Sequence, residues 1–169
     1  IDKDSVERLL VKNSIIKSAQ VYYSLDGYIH VNIQQREPVL RVLTGEGYYV
    51  DRDGRVMPLS SKFTSRVVVA TGDINKKFAC EKLGPFAMKL KNEPFWDAYI
   101  EQLVVRSNED VVMIPKVGDF RIVLGKVDDC DARLEKLILF LKDGITKKGW
   151  NRYKEINLKF DNQVVCVRK

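Results

Sequence analysis

The side chains able to do chemistry are few and scattered. His30 is the single histidine in 169 residues, and its alternation with Ile29 and Val31 puts it on the polar side of a strand. A catalytic imidazole needs a nucleophile or an orienting partner. No Cys or Ser motif lies near His30, so no triad is assembled from it, and a surface histidine is the simpler assignment. Cys80, Cys130 and Cys166 are odd in number and far apart, with no C-x-x-C pair. That spacing builds neither a zinc site nor a disulfide framework, and free cysteine packs as a small apolar residue. Asp51, Asp53 and Gly54 look like part of a calcium loop. Setting Gly54 at the loop glycine, however, places Tyr49 at the first ligand position and Ser60 where the closing glutamate belongs, and a hairpin turn accounts for the same residues. Asp128, Asp129 and Asp131 could ligate a metal, yet acids before a helix are expected from capping and from the helix dipole. No catalytic residue, metal ligand or cofactor is assigned, and no enzymatic activity is expected.

Charge offers a second kind of chemistry. Residues 1–37 carry five basic and five acidic side chains, whereas residues 142–169 carry eight Lys or Arg against three Asp or Glu. The end of the chain thus supplies most of the net charge of +6. Such a region can meet nucleic acid, anionic lipid or an acidic protein, or can be a solvated basic surface. Trp150 and Tyr153 beside Lys147, Lys148 and Arg152 are residue types that stack bases, which keeps a nucleic-acid-binding domain as the alternative function. No glycine-rich loop, helix-turn-helix pattern or RNP-type strand accompanies them, so no nucleic-acid partner is expected.

Positioning falls to elements that can be read from periodicity. A hydrophobic content of 45% supports an ordinary core, and no apolar run is long enough to span a membrane. The chain starts with neither methionine nor a signal-like segment, so a membrane anchor or targeting sequence is expected upstream of Ile1. The spacing of Asp4 and Glu7 predicts a capping box for a short amphipathic helix ending near Asn13, followed by an apolar turn at Ile15 and Ile16. Ser18–Ser24 and Tyr28–Gln35 read as a hairpin, with Ile29, Val31 and Ile33 on its buried face. Pro38 interrupts the sheet. A second unit then opens with Val39–Leu43, Tyr48–Val50 and the turn Asp51–Gly54.

Arg66–Ala70 is a buried strand. Two helical pieces between Asn75 and Ile100, broken at Gly84 and Pro85 and near Pro94, put Phe86, Phe95, Trp96 and Tyr99 in the core. Four strands follow: Gln102–Arg106, Asp110–Ile114, Phe120–Leu124 and Glu155–Phe160. The longest helix, Asp131–Lys148, has its stripe at Leu134, Leu137, Ile138, Leu141 and Ile145. Glu155–Phe160, the turn Asp161–Asn162 and Val164–Arg168 close the chain as a hairpin. The fold class is α+β, with residues 1–36 as a small unit and residues 38–169 as a strand-rich domain.

Several pieces in this order resemble the extracytoplasmic part of the FtsQ/DivIB cell-division family, a POTRA unit followed by a β domain. They are Arg36-Glu37-Pro38, Val50-Asp51 with Gly54, Gly118 with Ile122, Leu124 and Gly125 before a helix, and Ile156-Asn157-Leu158-Lys159-Phe160-Asp161-Asn162. A POTRA unit of that family begins with a strand, whereas this chain begins at the helix, which implies an unpaired edge beside Tyr28–Gln35. The resemblance implies a non-enzymatic scaffold of the bacterial divisome. It would be anchored in the inner membrane by one span, with this region in the periplasm, and would bind FtsB/DivIC-like and FtsL-like partners and link them to septal wall synthesis. It also implies further divisome contacts through the POTRA unit.

In that family the partner adds a strand to the free C-terminal edge of the β domain. Carried onto this sequence, the partner-binding residues are Lys159, Phe160, Asp161, Asn162, Val164, Val165, Val167 and Arg168. Lys159 is expected to pair with a partner carboxylate and Phe160 to pack against an apolar group, with Arg168 and Lys169 adding positive charge to the rim.

Overall fold

Val6 and Leu10 form an apolar stripe that needs a surface to lie on, and the hairpin that follows supplies it. In the computed structural model, which describes residues 2–61, 64–145, 149 and 152–169, α1 (Lys3–Val11) packs on β1 (Ile16–Tyr23). Antiparallel to β1 runs β2 (Ile29–Gln35). The helix starts at Asp2 rather than at an Asp4 capping box. Ser5 Oγ donates to Asp2, and Glu7 Oε1 accepts from Val21 N at 2.6 Å, which fastens the helix to the strand. Ile15 lies in a turn, but Ile16 already begins β1, so the expected second apolar turn is strand at that residue.

The expected buried face of β2 is not covered. Ile29, Val31 and Ile33 remain 42%, 46% and 44% exposed. Their cross-strand partners are Tyr23, Val21 and Ala19. α1 lies over β1, where Val21 and Ala19 are buried, and is too narrow to reach the second strand.

Among the described residues the second sheet has nine strands, in the order β11-β10-β9-β8-β7-β6-β3-β4-β5. It opens with β3 (Pro38–Val42), β4 (Tyr48–Asp51), β5 (Val56–Pro58) and β6 (Val68–Gly72). A helical stretch then covers one face: α2 (Lys76–Phe78), a π-helical turn Ala79–Leu83, and α3 (Gly84–Asn92). Gly84 and Pro85 do not break it. Gly84 keeps right-handed helical dihedrals and Pro85 falls in the first turn of α3, where a missing N–H costs little. The real break is at Glu93, which is extended before α4 (Pro94–Tyr99). Trp96, Tyr99 and Phe86 are buried, whereas Phe95 is exposed and stacks on the outside of Tyr99.

β7 (Ile100–Arg106), β8 (Asp110–Pro115) and β9 (Arg121–Gly125) form an antiparallel run. After it come α5 (Asp131–Phe140), the π-helical turn Leu141–Ile145, and then β10 (Tyr153–Asn157) and β11 (Val165–Arg168). Leu134, Leu137 and Leu141 are buried and Ile138 is partly so. The rest of the expected helix, residues 146–148, and the side chain of Ile145 lie outside the described residues. The parallel pairs β3/β6, β6/β7 and β9/β10 each require a crossover. Two of these crossovers, the α2–α4 stretch and α5, supply the helices whose side chains bury Leu103, Met113, Ile122, Leu124 and Ile156.

Gly72 marks the close approach of β6 to β7: its φ is +105° and a Cβ there would meet Val105 O at 2.0 Å. The continuous core runs from Val39 to Leu158, and the fold is α+β, a helix and hairpin followed by a strand-rich sheet with flanking helices. Among the described residues no helix is long and apolar enough to cross a membrane.

Candidate partner-binding edge

Among the described residues β11 is an edge strand, bonded to β10 on one side and open on the other. Which of its backbone groups are open follows from the ladder. Leu158 N donates to Val123 O on β9 at 2.9 Å, so Leu158 and, two residues back, Ile156 direct their peptide groups toward β9. Asn157 and Glu155 therefore face β11, where they are paired with Val165 and Val167. Lys169 N, which donates to Arg152 O at 3.2 Å, continues the same odd-numbered phase. The N–H and C=O groups of Val165 and Val167 are thus used inside the sheet. Those of Cys166 and Arg168 point out from the edge.

The side chains alternate in the other sense. Val164 and Cys166 pack against the core on the helix-covered face, and Val165 and Val167 are exposed on the opposite face at 36% and 39%. An added strand would find two outward-facing residues with free backbone and a flanking apolar strip.

The expected strand Glu155–Phe160 ends at Asn157. Lys159 N donates to Asn157 Oδ1 at 3.0 Å, a local side-chain bond that draws the chain out of the ladder. Lys159 and Phe160 therefore lie beyond the strand, in the segment leading to the turn of Asp161 and Asn162, where Asn162 has φ of 56°. Phe160 is 46% exposed, and its carbonyl accepts from Lys136 Nζ of α5 at 2.6 Å. Lys159 does not stand free: its Nζ lies 3.0 Å from Asp110 Oδ1 at the start of β8. An open recess of about 710 Å³ beside it is lined by Arg106, Lys126 and Arg133 as well as by Lys159, Asp110 and Asp161.

Lys159 and Phe160 are brought together near the Val165 end of β11, while Arg168 lies at the far end, opposite Tyr153. The charged rim is thus divided between two ends. At the far end Lys169 pairs with Asp119 at 2.8 Å, and that hydrogen bond holds the Asp119 carboxyl below its ordinary range. Asp110 and Lys136 escaped sequence reasoning because no local spacing signals them; Asp110 is 49 residues from Lys159.

The other chemical candidates fall into ordinary roles. His30 Nε2 is 3.1 Å from Ser24 Oγ and its ring stacks on Tyr22. Asp128 pairs with Lys82 at 2.7 Å and Asp131 with Lys89. Burial pushes the Cys80, Cys130 and Cys166 thiols up, away from the reactive thiolate form. Among the described residues no group of three or more His, Cys, Asp or Glu is arranged to hold a metal ion. Tyr153 is half-buried with its ring against Phe140, while Lys147, Lys148 and Trp150 lie outside the described residues.

Compared with known families, residues 37–167 match the family described as FtsQ/DivIB, C-terminal related. The matched range includes the whole large sheet up to Val167 of β11. No curated protein matches the chain.

Proposed function

Because this chain belongs to the FtsQ/DivIB C-terminal related family, and so has a role in bacterial cell division, we propose that it is a non-enzymatic divisome scaffold that captures a partner strand along β11. The partners in this proposal are FtsB/DivIC-like and FtsL-like proteins, which the scaffold connects to septal wall synthesis. Residues 1–36 act as a POTRA-like unit through which further division proteins dock, and residues 38–169 as the β domain. The region sits in the periplasm behind a single inner-membrane anchor upstream of Ile1.

The observation that carries the proposal is the free edge of β11, with the peptide groups of Cys166 and Arg168 turned outward beside exposed Val165, Val167 and Phe160. Backbone hydrogen bonds to such an edge give affinity, and side-chain pockets give selectivity. The Asp161–Asn162 turn and Val164 hold the edge in register, while Lys159 offers a cation to an acidic side chain of the partner.

Titration calorimetry tests this with a peptide from the membrane-distal end of an FtsB/DivIC-like protein that carries acidic residues near an aromatic. Wild type binds. Lys159→Glu weakens binding and flattens its salt dependence, and Phe160→Ala weakens it at least as much if the ring fills a partner pocket. Unchanged affinity in both folded variants moves the interface off this edge.

A further inference from the structure

Arg36, Glu37 and Asp51 converge at one place, where the chain leaves the small sheet and enters the large one. β2 ends at Gln35 and β3 starts at Pro38, so only Arg36 and Glu37 connect them. Such a connection leaves soft dihedrals on either side of Glu37 and does not by itself fix an orientation. The side chains do. Arg36 Nη1 donates to Asp51 Oδ2 at 2.8 Å, with the two side chains only 10% and 1% exposed. The other carboxylate oxygen, Asp51 Oδ1, accepts from Asp53 N at 2.9 Å and from Arg55 N at 2.7 Å. The turn's own N–H groups thus set the carboxylate in a single pose before the guanidinium reaches it. Meanwhile Arg36 N donates to Ile15 O at 2.8 Å, which ties the same residue to the start of the hairpin.

We infer that the Arg36–Asp51 pair is a latch that fixes the orientation of the helix and hairpin on the large sheet, so that the two move as one body. Swinging the small unit away would leave an ionised carboxylate buried without its counter-charge, and the loss of one partner of a buried pair is strongly unfavourable. The contacts around it are of a different kind. Lys17–Asp53 at 2.8 Å and Arg52–Glu37 at 2.7 Å are solvent-exposed and Lys91–Glu37 at 2.9 Å is partly so, and each contributes little on its own. They bracket the buried pair without replacing it. The latch holds whatever binds at β11, since it lies at the other end of the strand order.

Residual dipolar couplings of backbone amides in a weakly aligned sample of the whole chain read the orientation directly. In wild type, one alignment tensor fits residues 3–35, 38–61 and 64–145 together. The double variant Arg36→Met with Asp51→Asn leaves no orphan charge. It should keep dispersed amide signals in both units while requiring two tensors, with the smaller unit less ordered. Lys17→Met with Arg52→Met, which removes exposed contacts only, should keep one tensor. A single tensor in the folded double variant overturns the latch, as do two tensors in wild type. Should the double variant fail to fold, Arg36→Lys, which keeps the charge but loses the forked donor geometry, is judged by the same two outcomes.

Discussion

Asp51 carries more of this fold than a turn residue usually does. The D-R-D-G spacing identified its turn, and its bonds to Asp53 N and Arg55 N are those of a side chain closing that turn. Its burial and its pairing with Arg36, 15 residues away, had no local signal. Asp51→Asn should therefore lower unfolding stability by about 3–5 kcal/mol, as for one partner of a buried pair. His30→Ala, at an exposed position, should change it by less than about 0.5 kcal/mol. Urea titration of both variants against wild type checks the contrast, and a small effect at Asp51 would mean that the burial is relieved in solution.

Elements were legible where a periodic face meets a complementary surface, and misplaced where a local bond or a missing cover intervened. The stripe of α5 was visible because Leu134, Leu137 and Leu141 do face the sheet. The alternation in β2 was equally clear, yet it implied a buried face that α1, lying on β1, does not provide. At β10 the alternation that carries on through Leu158 and Phe160 hid the stop at Asn157, whose side chain captures Lys159 N. This last shift changes what is expected of Lys159, because Asp110 now occupies the cation that a partner carboxylate would take. Asp110→Asn should tighten binding of the acidic peptide by up to about 1 kcal/mol, the scale of an exposed pair, while Lys159→Glu should weaken it by about 1–3 kcal/mol. Calorimetry on both variants gives the signs, and an Asp110→Asn variant with weakened binding would assign the pair to support of the edge rather than competition for it.

At the scale of the whole molecule, the order of pieces could be read along the chain, but the order of strands could not. β3 beside β6 and β10 beside β9 are joined by long crossovers, and pairings of that kind leave no mark in local periodicity. The junction between the sheets also makes the molecule sensitive to acid. Hydrogen bonds from Lys91 and then Arg52 hold the Glu37 carboxyl below its ordinary range, and a hydrogen bond from Lys17 does the same for Asp53. A carboxylate with a depressed folded-state pKa contributes stability above its unfolded pKa and loses it as pH falls through the folded value. Thermal midpoints should therefore drop as pH falls below the ordinary carboxylate range, and Glu37→Gln should flatten that acid limb without altering the midpoint's pH dependence near neutrality. An unchanged acid limb in Glu37→Gln would remove Glu37 from the junction.

The central claim, that β11 takes a partner strand through its outward peptide groups, is tested most directly by proline substitution along that strand, because proline deletes one N–H at a time. Peptide binding by calorimetry and stability by denaturation are measured together. Cys166→Pro and Arg168→Pro remove N–H groups that face away from β10 and should abolish or strongly weaken binding while the chain remains folded. Val165→Pro and Val167→Pro remove N–H groups used within the sheet and should instead destabilise the fold, by about 1–3 kcal/mol each for a lost buried bond. Full-affinity binding by folded Cys166→Pro and Arg168→Pro proteins would contradict strand addition at this edge.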